Sequence, residues 1–206
     1  MLKVWGRTNS INVQKVMWTL AELGVAYERI DAGGAFGKLD TPEYGAMNPN
    51  RLIPVIEDGA TVVWESNAIV RYLAARYGVG ELWPEDPAQR SDADRWMDWQ
   101  VTTAQPALGP IFQGLIRMAP EQRDMKLIDS QIVRVGQLLQ ILDKHLAIRA
   151  CVAGDSLTMG DIPIGCLCWR YLQLPIERPE LPNVAAYFER LQTRPAYREH
   201  VMLPLT

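Results

Sequence analysis

The chain has 206 residues, 48% hydrophobic and 22% charged, with a net charge of −3. That length allows one large or two small domains with a substantial core. The mild acidity and the absence of any Lys/Arg run leave no electrostatic footprint for nucleic acid, and no apolar stretch approaches the roughly 20 residues of a membrane span.

Leu2 to Trp5 predicts a short strand that opens the chain without a long apolar run, so no secretory signal is expected. Three cysteines, an odd number without paired spacing, fit a reducing compartment, and a cytoplasmic protein is expected. The polar loop Gly6-Arg7-Thr8-Asn9-Ser10 follows. Val13, Val16, Met17, Leu20 and Leu23 then recur at steps of three and four up to Gly24, which predicts a helix with a glycine at its C-terminal end. Ala26 to Ile30 alternates as a strand. The order βαβ implies a parallel pair with a right-handed crossover. Residues 31–47 hold Gly33, Gly34, Gly37 and Pro42 without a period, and predict a loop with at most a short helix over 42–45.

Asn48 to Asn67 reads as turn, proline-led strand, tight turn, strand and helix start. Asp58-Gly59 between two β-branched runs predicts a hairpin with a type I′ turn. Pro54 lacks an N–H for a sheet ladder, so it suits a strand start or an edge strand. If the Ile53–Pro54 bond is cis, the N–H and C=O of Ile53 turn outward and can pair with an extended peptide. From Glu65 onward, Ile69, Val70, Leu73, Ala74 and Tyr77 share one helical face. Ser66 at that helix start is a cap, or it offers a carboxylate a site of free N–H groups and positive dipole. The order β-α-β-α-β-β-α predicts a small open sheet ending near Tyr77.

Glycines and prolines make 79–87 a linker by composition, and everything after it reads as helix. The predicted division is therefore 1–78, a linker over 79–87, and an all-α domain over 88–206. Ala88 to Arg117 is one long helical pattern, expected to bend near Pro106 or Pro110. Ile128, Ile132, Val135, Leu139, Leu142 and Leu146 form the seam of a bundle helix. Thr158 and Asp161 have capping-box spacing, with Leu157 and Ile162 as a hydrophobic staple. Pro163 shortly after predicts a bent or loosened first turn. Leu181-Pro182-Asn183 opens another helix, and Arg194-Pro195 a last short one. Trp96 and Trp99, three apart, suit a core or interface. His145 and His200 stand alone, without metal-ligand spacing, and no metal is expected.

The ordered set of a proline-led strand at Ile53-Pro54 and an acid-serine pair at Glu65-Ser66 resembles the cytosolic glutathione transferases, and the order of motifs resembles that superfamily over nearly the whole chain. Asn9 to Lys15 is most similar to a bacterial branch of serine or asparagine type. The resemblance implies an α/β thioredoxin-like N-terminal domain followed by an all-α helical-bundle domain, with glutathione as co-substrate and a homodimeric assembly. It also implies site residues. Ser10 would donate to the glutathione sulfur, with Asn12 as its rival and Thr8 as a weaker third. No tyrosine stands at the first strand; Trp5 is near that place, with no hydroxyl to give. The loop holds no cysteine, which disfavours mixed-disulfide chemistry.

By the same resemblance, Glu65 and Ser66 would hold the γ-glutamyl end, and Ile53, before Pro54, would pair with the cysteinyl backbone. Arg51 would take the glycine carboxylate, with Lys38 sharing that work; otherwise Arg51 is a solvated loop cation. Asp98 and Thr102 would reach the γ-glutamyl group across a dimer. Gln105 and Phe112 would line an electrophile pocket between the Ser10 loop and the long helix. The Thr158–Asp161 motif would be structural. A thiol ionises near ~8.5 and only its thiolate attacks efficiently, so a donor and a helix dipole at the sulfur favour reaction at neutral pH. The expected activity is addition of the glutathione thiolate to small apolar electrophiles. Glutathione-dependent peroxide or disulfide reduction, isomerisation, and non-enzymatic ligand or partner binding are the alternatives on this fold.

Overall fold

The computed structural model describes all 206 residues, and they divide into two units: Met1–Glu85 with Pro195–Leu203, and Asp86–Arg194 with Pro204–Thr206. The first unit runs β1 (Leu2–Trp5), α1 (Ile11–Glu22), β2 (Tyr27–Ile30), α2 (Pro42–Met47), β3 (Val55–Asp58), β4 (Thr61–Trp64) and α3 (Ser66–Tyr77). The strands form one four-stranded sheet of order β2-β1-β3-β4. β1 pairs β2 in parallel, as the βαβ pattern requires, and β3 antiparallel. Alternation along β1 splits its side chains between two faces. Leu2 and Val4 join Ile56, the α1 residues Val13, Val16, Met17 and Leu20, and the α3 residues Ile69 and Leu73 in one buried cluster. Trp5 turns the other way, toward Tyr44 of α2, Ala32 and Val55.

Two local features depart from the pattern expected of the sequence. The hairpin is present, but Asp58 pairs with Thr61, so the two turn residues are Gly59-Ala60. Only Gly59 has positive φ, at 62°. A glycine alone at the first central position is the type II′ arrangement, not type I′. The short helix in the 31–47 stretch extends to Met47, because Thr41 caps it by accepting the Tyr44 N–H at 3.2 Å and Pro42 sits in its first turn.

The second unit contains α4 (Pro87–Trp99), α5 (Gln105–Phe112), α6 (Met125–Leu146), α7 (Asp161–Gln173) and α8 (Pro182–Gln192). Between α4 and α5 the chain stays helical through a π turn over Gln100–Ala104, and a second π turn follows over Gln113–Arg117. The first of these wider turns spans the Thr102 carbonyl, which Pro106 leaves without a donor, near the bend expected of Pro106 or Pro110. A proline lacks the N–H that the carbonyl four residues back would receive, and its ring crowds that carbonyl. In α6 the seam residues Ile128, Val135, Leu139, Leu142 and Leu146 are buried.

Pro163 is the third residue of α7, where the N–H has no helical partner to lose, and the turn just before the helix closes through the Asp161 N–H and the Thr158 carbonyl at 3.0 Å. The Asp161 carboxylate reaches back to the Thr158 N–H at 2.9 Å, as a capping box does. The start of α8 is capped from α6, where Asp143 accepts from the backbone N–H groups of Asn183 and Val184 at 2.8 and 2.9 Å. The last helix, α9 (Pro195–His200), belongs to the first unit and not with the helices before it. It packs on α1 through Trp18 and Tyr197, whose rings meet edge to face at 4.8 Å. No helix is long and apolar enough to cross a membrane.

Candidate functional site

The candidate site lies where β1, β3, α1 and α3 of the first unit end or begin. The chain leaves β1 through Gly6, where an added Cβ would lie 2.4 Å from the Val13 side chain. Only glycine lets the loop pass this close to α1. The loop is braced by the Arg7 guanidinium, which donates to Asn9 Oδ1 at 2.6 Å. Ser10 occupies the cap position of α1, with its backbone carbonyl accepting from Gln14 at 2.9 Å, yet its hydroxyl caps nothing. A half-buried hydroxyl is thus left unused beside the positive end of a 12-residue helix. Asn12 stands in the first turn of α1 itself, not in the loop.

The Ile53–Pro54 bond is cis. β3 begins one residue later, and neither the N–H nor the C=O of Ile53 enters a ladder or another backbone hydrogen bond. The preceding carbonyl is pinned: Leu52 C=O accepts from Tyr44 Oη at 2.8 Å and from Asn48 Nδ2 at 2.9 Å. Burial raises the Tyr44 phenol to about 12, so it remains a donor. Ile53 therefore presents an unpaired backbone edge on a fixed support.

α3 begins at Ser66 after Glu65, whose φ is +69° and whose side chain caps nothing. Ser66 is 6% exposed and Lys15, from α1, only 1%. The Lys15 ammonium donates to Asn67 Oδ1 at 3.1 Å and to Ser66 Oγ at 3.4 Å, while Ser66 Oγ donates to Asn12 Oδ1 at 3.3 Å. The first turns of α1 and α3 are joined by this buried polar set. Sequence reading passed over Lys15, Asn67, Tyr44 and Asn48. One signal was present for the lysine: Ile11, Lys15 and Trp18 share a helical stripe, so a cation interrupts an apolar face.

The other expected site residues have surroundings of their own. Arg51 has φ +53° and spends its guanidinium on the carbonyls of Leu39 and Thr41, at 2.8 and 3.2 Å. It straps the loop before α2, so it is no plain solvated cation, and fewer of its donors are left for a carboxylate. Lys38 is exposed, with its ammonium 5.9 Å from the centre of the Trp5 ring. In the second unit, Asp98 and Thr102 are exposed, and the Thr102 hydroxyl donates to the Asp98 carbonyl at 2.8 Å. Gln105 accepts from Gln100 at 3.2 Å. Phe112 is 2% exposed, with the guanidinium groups of Arg170 and Arg117 at 3.9 and 4.7 Å from its ring centre. Its aromatic surface is largely taken up by packing.

Trp96 and Trp99 stack edge to face at 5.0 Å. Cys166 and Cys168 lie buried in α7, whereas Cys151 forms an isolated bridge with Gly154 outside any helix. Burial pushes the Cys151 and Cys168 thiols up to about 12, far from reactive thiolate. No group of three or more His, Cys, Asp or Glu side chains is arranged to hold a metal.

An α/β unit with an outward backbone edge before a cis-proline, followed by helices, is the thioredoxin-like plus helical architecture of the glutathione transferases. Residues 1–75 match the model of the glutathione S-transferase N-terminal domain, and residues 103–195 match that of the C-terminal domain. Over 208 aligned residues the chain is 41% identical to glutathione S-transferase GstB of Escherichia coli strain K12, covering 100% of both chains. It superposes with a TM-score of 0.96 and 47% identity on a theta class glutathione S-transferase with glutathione bound, from the citrus canker pathogen Xanthomonas axonopodis pv. citri, covering 100% of this chain and 99% of that one. The apo form from that organism gives 0.86 at 40% identity, covering 100% and 98%. The chain belongs to the glutathione S-transferase family.

Proposed function

We propose that this chain is a glutathione transferase in which the start of α1 holds glutathione as its thiolate for attack on a small, largely apolar electrophile. The thiol gives up its proton, the sulfur lone pair forms the new bond to carbon, and the leaving group departs or the adduct takes up a proton. One observation carries the assignment of the sulfur contact: the Ser10 hydroxyl is uncommitted at the positive end of α1, while Asn12 Oδ1 is engaged by Ser66. A hydroxyl donor and a helix dipole both favour the anion. Ser10 is accordingly the catalytic residue of this reading, and Asn12 its neighbour.

The rest of glutathione follows the shape of the site. The unpaired backbone of Ile53, held before Pro54, suits the cysteinyl amide and carbonyl. Ser66 and the start of α3 suit the γ-glutamyl carboxylate, and Glu65 its ammonium. Lys38 suits the glycine carboxylate better than Arg51, whose guanidinium is occupied. In this reading the exposed Asp98 and Thr102 serve the γ-glutamyl group of a second subunit of a homodimer, and Gln105 and Phe112 are the electrophile contacts. Three free cysteines fit a cytoplasmic setting.

The test is thiolate absorbance in the ultraviolet, followed across pH for the glutathione complex of the parent and of Ser10→Ala. A bound thiol titrating at least about one unit below ~8.5, and returning toward that value in Ser10→Ala, is expected. Binding without a shifted thiolate would overturn the proposed activation. Absence of glutathione binding would overturn the whole reading.

A further inference from the structure

We infer that Lys15 is a positioning residue for the γ-glutamyl carboxylate: its buried ammonium fixes Ser66 and Asn67 as hydrogen-bond donors toward that group. The inference rests on the glutathione-binding reading and deepens it. A serine hydroxyl has one proton and two acceptor sites, and an asparagine amide has both a donor and an acceptor end. Left alone, either side chain can meet a ligand with the wrong sign. Lys15 has only protons to give. By donating to Ser66 Oγ at 3.4 Å and to Asn67 Oδ1 at 3.1 Å, it fills an acceptor site on each. The serine proton must then point away from the lysine, and it does, toward Asn12 Oδ1 at 3.3 Å. The amide protons of Asn67 are likewise turned from Lys15.

Burial makes this more than packing. At 1% exposure Lys15 keeps a charge out of water, which is costly and which a neutral side chain of similar length would avoid. What the charge adds is direction and strength. A donor that itself accepts from an ammonium is polarised, and low local dielectric magnifies the effect. An incoming carboxylate, a stronger acceptor than the Asn12 amide oxygen, thus meets a hydroxyl whose single proton is already turned from Lys15 and can pass to it from Asn12 Oδ1, at the start of a helix whose dipole has the same sign.

Calorimetric titration can separate orientation from packing. The probes are glutathione and the tripeptide 4-aminobutyryl-Cys-Gly, which lacks only the γ-glutamyl α-carboxylate. In the parent, loss of that carboxylate should weaken binding about 30-fold or more. In Lys15→Met, glutathione should weaken about tenfold or more while the analogue changes less than about twofold, so discrimination nearly disappears. Lys15→Arg, which retains a cationic donor, should keep most of it. If Lys15→Met does not fold, the same ratio is read in Lys15→Gln. Equal weakening of both probes would assign Lys15 to packing alone and overturn the inference, as would an unchanged ratio. A parent that fails to bind glutathione would instead overturn the glutathione-binding reading, so the two failures are told apart.

Discussion

The Ser66 hydroxyl donates to Asn12 Oδ1 at 3.3 Å, tying the first turn of α3 to the first turn of α1. This bond joins the place proposed for the γ-glutamyl carboxylate to the residue that rivals Ser10 at the sulfur. It sets different consequences for two neighbouring substitutions.

Asn12→Ala removes the acceptor of the Ser66 proton and leaves the Ser10 hydroxyl alone. A neutral hydrogen bond of this length contributes modestly, so glutathione affinity should change less than about fivefold. The thiolate titration of the bound complex should stay at its parental position. Ser10→Ala should reverse the pattern, with affinity nearly kept and the conjugation rate at neutral pH reduced about 10- to 100-fold. Binding titrations and steady-state rates for the two variants give the comparison. A thiolate shift in Asn12→Ala but not in Ser10→Ala would transfer the sulfur contact to Asn12.

Glu65 holds φ +69°, a region that costs a side-chain-bearing residue about 1–3 kcal/mol. Glu65→Gly relieves that cost but adds chain entropy to the unfolded state, so stability should be unchanged or up to about 1 kcal/mol higher. Glu65→Ala relieves nothing and should be no more stable than the parent. Both substitutions should weaken glutathione about tenfold if the carboxylate meets the γ-glutamyl ammonium. Denaturant midpoints and binding constants read the two effects separately. A Glu65→Gly protein markedly less stable than Glu65→Ala would show that the backbone is unstrained there.

Much of the first unit was legible in the sequence because its signals are local. β1 alternates, the α1 residues recur at helical steps, and the glycine turn and Pro54 mark the hairpin and its strand. The hairpin turn was misplaced by one residue, since Asp58 is drawn into the ladder opposite Thr61 and leaves Gly59-Ala60 to turn. The less legible features depend on partners distant in sequence. Arg51 folds back on Leu39 and Thr41, Tyr44 and Asn48 pin Leu52, and Lys15 meets Ser66 and Asn67 across 51 and 52 positions. The surroundings of Phe112 were illegible for the same reason. Its period marks a buried face, but only the fold brings Arg170 to its ring. α9 carries no signal of its own for the unit it joins; Tyr197 becomes informative only once Trp18 is seen against it.

His145 gives the second unit a pH dependence. Burial lowers its imidazole below the ordinary 6.5, and the nearby guanidinium of Arg149 adds to the effect, while the bond to the Val152 carbonyl opposes it. A neutral ring accounts for both contacts: Nε2–H donates to Val152 C=O at 2.8 Å, and Nδ1 accepts from Arg149 at 3.2 Å. His200 is lowered in the same direction, also by burial, with Glu199 opposing. As pH falls below about 6.5, the unfolded chain binds protons at these histidines before the folded chain does. Stability should therefore fall with acidification through that window and level off below the folded-state values. His145→Gln should flatten part of the fall in thermal melts taken between about pH 7 and pH 5. A slope equal to the parental one would remove His145 as its source.

Asp161 gathers the buried polar groups at the start of α7. It is fully buried, and its two oxygens accept from the Val152 N–H at 2.9 Å, the Thr158 N–H at 2.9 Å, the Thr158 hydroxyl at 3.2 Å and the Tyr187 hydroxyl at 3.0 Å. Burial holds its carboxyl above the usual carboxylate range against those four donors, and Tyr187 is also raised well above its ordinary value. Asp161→Ala would strand the buried N–H groups of Val152 and Thr158, each worth about 1–3 kcal/mol, and leave the Tyr187 hydroxyl only its 3.4 Å contact with the backbone carbonyl of residue 161, for a total loss of about 4 kcal/mol. Asp161→Asn should cost about 2 kcal/mol, because one accepting oxygen becomes an N–H₂ facing other donors. Tyr187→Phe, which removes one donor and leaves the carboxylate its other three, should cost about 1 kcal/mol. Urea titrations of the three variants should rank in that order. An Asp161→Ala protein within about 1 kcal/mol of the parent would mean that water supplies the stranded donors, and the start of α7 would then stand without its carboxylate.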